Sequence, residues 1–278
     1  MPLDAERSRI WEALGIGAQW IERGNPDPLL AAKAAAVPSA PKPRAPAAAP
    51  RGVPVPPVSR VSPAAPARPA APAPVITGEA QKIFEGVESA SWEELAERLP
   101  RCEACILAKT RLRTVFADGA PGCPVVMVGE APGAEEDLQG KPFVGKSGQL
   151  LSAALKAVGI ERGKDAAIIN VLKCRPPGNR DPRPEEVTAC RHFLDRQLEL
   201  LAPKLIVLMG RPAASAILGT DLSIARLRGE THYVEVAGRR IPAIVTYHPS
   251  YLLRQLGEKE KFWHDLVAAK RLLKAAAG

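Results

Sequence analysis

Short apolar runs alternate with longer amphipathic stretches over the second part of the chain. Four of the runs have the length and the flanking turn residues of buried strands, and they cover residues 125–128, 167–171, 205–209 and 243–246. The stretches between and after them predict helices at residues 149–158, 184–201, 212–218 and 258–276. Ser91 and Glu94 predict a capping box that opens one more helix, which ends at Pro100. This alternation predicts an α/β fold with a parallel sheet that is covered on both faces.

The loops that follow the predicted strands hold the candidate chemistry. Ligands of open parallel sheets bind beyond the carboxyl ends of the strands, which directs attention to the loops after residues 128, 171 and 246. The first of these loops is rich in glycine, carries four acids and Phe143, and precedes a helix. Its Gly145-Lys146-Ser147 sequence lacks the spacing of a P-loop. The acids leave a magnesium site open as an alternative.

The other two loops contribute an amide and an imidazole. Asn170 ends the second strand, where its donor and acceptor suit the edge of a nucleobase, or where it is simply a satisfied turn residue. His248 follows the fourth strand at the place where such a sheet carries its chemistry, with a structural histidine as the alternative. Residues 251–254 form an apolar tip with an arginine, which either wedges into a base stack and holds phosphate or packs inside.

The first part of the chain has a different composition. Residues 25–76 are almost entirely Ala, Pro and Val with scattered Lys and Arg, so they cannot bury enough surface to fold and we expect a disordered basic linker. Residues 1–24 form a short apolar segment with Trp11 and Trp20, which either docks on another protein or folds back on the main domain. Residues 77–278 are predicted to be the folded domain.

The charge of the chain narrows the choice of partners. Lys and Arg total 38 against 30 Asp and Glu, a net charge of +8. This excess fits a polyanionic partner, because basic side chains release counterions from phosphates, and it equally fits a solvated basic surface. The N-terminus has no signal-peptide pattern, and no apolar run approaches the roughly 18 residues of a membrane span. We therefore expect a cytoplasmic protein with no membrane partner.

The five cysteines predict a metal or redox site, because disulfides are rare in the cytoplasm. Four of them can form one site: Cys102, Cys105, Cys174 and Cys190. Four thiolates hold either a tetrahedral zinc ion or a [4Fe–4S] cluster, and the spacing leaves this choice open, with metal-free burial as a third possibility. Cys123, next to a proline, is predicted to be a buried or free structural cysteine.

Together these features resemble the family-4 uracil-DNA glycosylases. The matching strings are GEAPGAEEDLQGKPFVGKSGQLL, INVLKCRPPGNRDP and HPSYLLR, in this order and with the four cysteines. The resemblance spans residues 77–278 and leaves the preceding residues outside it. It implies a three-layer α/β/α sandwich with a central four-stranded parallel sheet. It also implies an enzyme that flips deoxyuridine out of DNA and hydrolyses its N-glycosidic bond, which leaves an abasic site and starts base excision repair.

The resemblance implies roles for individual residues. The four cysteines hold a [4Fe–4S] cluster that orients loops near the DNA and takes no part in the chemistry. Phe143 stacks on the uracil ring, Asn170 reads its O4 and N3 edge, and His248 donates a hydrogen bond to O2 as the base leaves. The residues that hold open the gap in the base stack are Leu252, Leu253 and Arg254.

The attacking water needs a residue to orient it. Some other glycosylase families have an aspartate for this at the position that is Ala131 here, as the family-4 pattern expects, and we expect Ala131 to contact the substrate. Glu130 is our first candidate for orienting the water or steadying the oxocarbenium-like sugar, and Asp137 is the second.

A related group traps uracil-DNA covalently through a histidine on a loop inserted after the second strand. Here Arg175 leads directly to Asp181 with no such histidine, so we expect turnover.

Two other function classes stay open on the sequence. A non-catalytic iron–sulfur DNA-binding module that recruits a partner through residues 1–24 predicts DNA binding that survives loss of Asn170 and His248. A phosphotransferase or hydrolase acting on nucleotides predicts dependence on Mg²⁺, whereas base excision by water needs no divalent metal. The expected partners are uracil-containing DNA and a protein bound by residues 1–24, and the expected form is a nucleoid-associated monomer.

Overall fold

The computed structural model describes residues 82–275. The predictions for residues 1–24 and 25–76 fall outside the described residues, and the predicted domain at residues 77–278 is described over all but its ends. The central feature is a sheet in the order β2-β1-β3-β5-β4. Its strands are β1 (Val125–Gly129), β2 (Ala166–Asn170), β3 (Leu205–Met209), β4 (Thr231–Val236) and β5 (Arg239–Thr246).

The prediction of a four-stranded parallel sheet is wrong in one respect, because the sheet has a fifth strand. β1, β2, β3 and β5 pair in parallel, and β4 pairs antiparallel with β5 at the edge. β4 alternates exposed residues with buried Val234 and Val236, so it has no continuous apolar run to reveal it. Ala237 and Gly238 join β4 to β5 with positive φ angles of 48° and 73°, as a two-residue hairpin turn requires.

Helices cover both faces of this sheet. The α-helices are α1 (Trp92–Arg98), α2 (Ala134–Gln139), α3 (Lys146–Ala157), α4 (Pro184–Leu201), α5 (Arg211–Leu218), α6 (Ile224–Leu227), α7 (Pro249–Arg254) and α8 (Lys259–Ala275). Short 3-10 helices lie at Lys82–Phe84, Val87–Ser89, Leu99–Arg101, Ile106–Lys109, Pro177–Asn179 and Leu256–Glu258. Among the helices within residues 82–275, none combines the length and apolarity that a membrane crossing needs.

Several predicted boundaries are confirmed. α4 and β3 begin and end where their patterns predict. The capping box at α1 is present, since Ser91 Oγ accepts from Glu94 N at 3.1 Å and Glu94 Oε2 accepts from Ser91 N at 2.8 Å. α3 begins at Lys146, three residues earlier than predicted, because the extended backbone ends at Gly145.

The side chains of the sheet divide between two cores. Val126 and Val128 of β1 pack with residues of α4 and α5, whereas Val125 and Met127 pack with residues of α3 and α8. Successive residues of a strand point to opposite faces, so one fully buried strand supplies both cores. The three-layer α/β/α sandwich is confirmed. A smaller core joins the N-terminal elements to Phe193 on the outer side of α4.

The register of the parallel strands places the loops that follow β1, β2 and β5 at one edge of the sheet. Gly129, at the end of β1, lies opposite Asn170, at the end of β2. On the other side of β3, Met209 lies opposite Thr246, the last residue of β5. The loops that carry the predicted site residues therefore leave the sheet at the same edge, as expected for parallel strands.

Candidate active site

A cavity of about 230 Å³ lies at this edge. It is smaller than the roughly 300–1,000 Å³ of pockets for drug-sized ligands, which suits a single planar ring. Five predicted site residues line it, namely Glu130, Ala131, Phe143, Asn170 and His248. The other lining residues are Pro132, Gly133, Glu136, Ser147, Pro176, Asn179, Arg180 and Ser250.

Asn170 presents an unpaired amide to this cavity. The residue is 1% exposed, and neither Nδ2 nor Oδ1 has a hydrogen-bond partner among the described residues. Leaving a buried polar group unsatisfied costs about 1–3 kcal/mol, so a native site keeps such groups where a ligand satisfies them. The amide thus offers one donor and one acceptor to whatever fills the cavity.

His248 presents a single donor. Its Nδ1 accepts from the backbone N–H of Ser250 at 3.2 Å and lies 2.8 Å from Ser250 Oγ. This contact leaves the ring proton on Nε2, which is buried and has no partner among the described residues. Burial, with a smaller contribution from the charge of Arg254, lowers the pKa of His248 to about 4, while Glu136 opposes the shift. The ring is therefore neutral near pH 7.

Phe143 forms one wall of the cavity. Its ring lies 5.4 Å from that of His248, between centroids, at an interplanar angle of 37°. Its φ angle is +52°, a left-handed conformation that costs a bulky residue about 1–3 kcal/mol and persists only where the surroundings enforce it. Gly148 permits the turn, since a Cβ there would stand 1.8 Å from the Phe143 carbonyl oxygen.

Glu136 holds the loop of Phe143, a role that the sequence analysis missed. Its Oε1 accepts from the N–H groups of Val144 at 2.9 Å and Gly145 at 3.0 Å. Its Oε2 accepts from Gly133 N at 3.0 Å, in the manner of the N3 residue of a capping box. The position of Glu136, three residues after Gly133, could have indicated this role. A capping box is usually recognised by the side chain of its N-cap residue, however, and glycine has none.

The two acids proposed for water activation lie in different environments. Glu130 lines the cavity, and burial, together with the charge of Asp181, raises its pKa to about 7. Asp137 is buried outside the lining of the cavity, and its Oδ1 accepts from Leu112 N at 2.9 Å and Arg113 N at 3.2 Å. These contacts give Asp137 a structural part, so we retain Glu130 alone as the candidate.

The predicted DNA wedge is corrected in one position. Leu252 is 0% exposed and packs in the core with α3 and α8, whereas Leu253 is 41% exposed and Arg254 is exposed. All three lie in α7, where successive residues turn by about 100°, so they cannot share one face. The apolar tip predicted from the sequence therefore consists of one core residue, Leu252, and two surface residues, Leu253 and Arg254.

Each of the four cysteines predicted to share a site interacts electrostatically with at least two of the others. The charge of Cys105 raises the pKa of both Cys174 and Cys190, and that of Cys102 raises the pKa of Cys105 and Cys174, although burial is the larger cause in every case. Burial raises the pKa of Cys174 to about 11. Within residues 82–275, no three or more Cys, His, Asp or Glu side chains group tightly enough for a single metal ion. Cys123 is a buried free thiol, as predicted.

Two basic side chains accompany these thiols. Arg111 Nη1 donates to Cys174 Sγ at 3.3 Å, and its Nη2 donates to the Pro100 carbonyl at 2.9 Å. Lys173 is 0% exposed, and its Nζ donates to the Asn170 carbonyl at 2.5 Å. Burial lowers the pKa of Lys173 to about 7, and the charges of Cys190 and Cys174 oppose that shift. Lys173 thus connects the cysteines to the residue whose amide faces the cavity, which sequence analysis did not foresee.

Comparison with known proteins identifies the family. The family model described as the Uracil DNA glycosylase superfamily matches residues 116–267. The chain belongs to this superfamily. The Type-4 uracil-DNA glycosylase of Archaeoglobus fulgidus is 42% identical over 63% of this chain and 89% of the relative. That of Thermotoga maritima is 42% identical over 66% and 94%.

The Type-5 uracil-DNA glycosylase of Thermus thermophilus is more distant, at 33% identity over 58% of this chain and 80% of the relative. The resemblance to the family-4 enzymes of this superfamily, based on the three loop strings, is therefore confirmed. These loops are the ones that surround the cavity.

Proposed function

We propose that the protein excises uracil from DNA by hydrolysing the bond between the base and its deoxyribose, which leaves an abasic site. The observation that carries this proposal is a set of three buried, unpaired polar atoms around one small cavity: Asn170 Nδ2, Asn170 Oδ1 and His248 Nε2. A base can reach these atoms only after it leaves the stack, so the reaction needs base flipping. Exposed Leu253 and Arg254 are suited to filling the gap that the base leaves.

Asn170 accounts for the choice of base. Uracil offers an O4 acceptor and an N3–H donor on one edge. The Asn170 amide can bond both, because Nδ2 donates to O4 and Oδ1 accepts from N3–H. Cytosine has an amino donor in place of O4, which would face the Nδ2 donor. The ring of Phe143 gives the base a stacking surface at the same place.

His248 accounts for the departure of the base. Negative charge builds on uracil as the glycosidic bond breaks, and a donor aimed at O2 stabilises this charge. A neutral imidazole serves here because its Nε2–H is already in place and need not be transferred. Removal of one such donor costs about 10²- to 10³-fold in rate.

Glu130 is the candidate for the attacking water. An ionised carboxylate can accept the proton of the water and stabilise the positive charge that develops on the sugar. Its burial keeps the pKa near the working pH, which is the condition under which a general base is most effective.

The excision rate should therefore depend on the ionisation of Glu130. The carboxylate is protonated below a pKa of about 7, so the single-turnover rate should fall about tenfold per pH unit below that value and level off above it. The rate would be measured between about pH 5 and pH 9, and Glu130→Gln should remove the step. A flat profile in the unmodified protein would eliminate Glu130 as the base.

The function itself is tested with a labelled DNA oligomer that contains one uracil. Purified protein is incubated with it in EDTA, and alkali then cleaves abasic sites. We expect cleavage only at the uracil, and loss of this cleavage in His248→Ala. Dependence on added Mg²⁺ would favour phosphoryl or hydrolytic chemistry on nucleotides. Binding without cleavage would favour the non-catalytic DNA-binding module.

The cysteines fit a [4Fe–4S] cluster. Cys102, Cys105, Cys174 and Cys190 supply four thiols, each of which interacts electrostatically with at least two of the others. Two basic side chains, Arg111 and Lys173, lie beside them and would offset negative thiolate charge. Such a cluster would cross-link the chain segments that carry its ligands. Lys173, which donates to the Asn170 carbonyl, would extend this rigidity to Asn170.

Removal of one cysteine ligand should show which properties depend on the cluster and which depend on the rest of the fold. Cys190→Ala is expected to lose bound iron and visible absorbance and to lower the Tm by about 10 °C or more. Cys123→Ala is the matched control, because Cys123 is also buried, packs in the core and donates to the Gly163 carbonyl at 3.7 Å. It should keep its iron and lose about 2–4 °C. Equal iron contents in the two variants would contradict this ligand set.

A further inference from the structure

The backbone around Phe143 is held by charged side chains on two sides. On one side, Glu136 accepts from the N–H groups of the two residues that follow Phe143. On the other side, Arg162 donates to the carbonyl oxygens of Phe143 at 2.7 Å and of Pro142 at 2.5 Å. Arg162 does not line the cavity, so whatever it does for the reaction it does through this loop.

The guanidinium of Arg162 uses most of its donors in this arrangement. Beyond the two carbonyls, Nη1 donates to Ser152 Oγ at 3.0 Å and Nε donates to Asp118 Oδ2. Four of the five N–H donors of an arginine are thus engaged. Asp118 also pairs its backbone with Ile168 of β2, at 2.9 Å and 2.7 Å, so the carboxylate is anchored to the sheet. The chain of contacts runs from the sheet through Asp118 and Arg162 to Phe143.

We propose that Arg162, anchored by Asp118, is a positioning residue that holds Phe143 in its left-handed conformation and so sets the stacking surface for the flipped base. This inference rests on the proposed function. A planar fork can bond two successive carbonyls and a carboxylate at once, which a lysine ammonium cannot do in the same geometry. Without it, the Phe143 backbone keeps only the support of Glu136 and can leave more readily a conformation that its side chain disfavours.

The effect on the reaction should be large for a residue outside the pocket. Misplacement of a substrate-binding group by about 1 Å costs about 10²-fold, so Arg162→Gln should lower kcat/KM for uracil excision by about that factor. Arg162→Lys should recover part of the loss, because it keeps the charge opposite Asp118. The matched control is Arg191→Gln. Arg191 likewise bonds a carboxylate, Asp195, and a main-chain carbonyl, and it should excise uracil at the unmodified rate.

A double-mutant cycle distinguishes positioning from a general loss of stability. If Arg162 acts through the ring of Phe143, Arg162→Gln should cost far less in a Phe143→Ala background than alone. A merely structural role lowers activity by the same factor in both backgrounds, and that result would overturn the proposal. Single-turnover kinetics on the full chain supply the four rates.

A crystal structure of Arg162→Gln gives a readout that does not depend on catalysis. We expect Phe143 to leave the positive-φ region or its ring to move away from His248. An unmoved Phe143 would refute the inference, whether or not the unmodified protein excises uracil. Failure of the unmodified protein to excise uracil would refute the proposed function, and the position of Phe143 would still decide the inference.

Discussion

Asn170→Asp is expected to lower kcat/KM for uracil excision by about 10⁴-fold, the discrimination reached by sites built to hydrogen-bond one partner. The substitution keeps the shape of the side chain but replaces the Nδ2 donor with an acceptor. Uracil O4 would then face a carboxylate oxygen in a site where the residue is 1% exposed, so two acceptors would meet without water between them. Cytosine would gain one matched contact, from its amino donor, while its N3 acceptor would stay unmatched, so we expect the preference for uracil to be lost.

The measurement compares single-turnover excision of uracil and of cytosine from otherwise identical oligomers. Asn179→Asp is a suitable comparison, since Asn179 also lines the cavity but is exposed, and its Oδ1 accepts from Arg175 Nε at 2.7 Å. A carboxylate there keeps this bond, so the rate should change far less. Retention of uracil excision by Asn170→Asp would show that the amide does not read the base.

The placement of Asn170 and His248 could be predicted from the sequence because it follows from topology. A parallel strand buried on both faces must be apolar throughout its length, so its carboxyl end is visible where the run ends. Residues at those ends converge at one edge, which is why Asn170 and His248 face one cavity although 78 positions separate 170 from 248 in the printed sequence.

The hydrophobic pattern did not predict β4 or the burial of Leu252, because tertiary packing determines both. β4 has one face on the core and one in water, so its signal was an alternation within a polar stretch. Leu252 and Leu253 are the same residue type in adjacent positions, yet one is fully buried and the other is 41% exposed, because helix geometry decides which of them faces the core. Composition carries no information that separates them.

The residues that hold the site were beyond the reach of sequence reasoning for a different reason. Glu136, Arg162 and Lys173 all act on main-chain atoms, and a main-chain carbonyl or N–H leaves no mark in the sequence. Arg162 reaches a carbonyl 19 residues away, across the whole of α3. Periodicity reports which face of an element is buried, but not which loop a polar side chain meets.

Gly129→Ala should abolish most of the activity while the fold persists. Gly129 lies at the end of β1 beside the cavity, and its φ angle is one that other residues adopt, so the backbone itself tolerates alanine. An added Cβ would stand 2.4 Å from Asn170 Oδ1 and 2.7 Å from Phe143 Cε2. Neither distance is sustainable, and the atoms that must move belong to the two side chains that we propose bind the base. We expect kcat/KM to fall by at least about 10²-fold.

The companion variant Gly257→Ala adds the same methyl group where no atom lies within 4 Å, so it should leave the excision rate unchanged. Thermal unfolding of both variants separates displacement of the site from damage to the sheet, because the clash at Gly129 can be relieved by side-chain movement alone. A Tm close to that of the unmodified protein together with lost excision is the expected result for Gly129→Ala. Full activity would mean that Asn170 and Phe143 can retreat without harm, and the tight geometry between them would then have no part in recognition of the base.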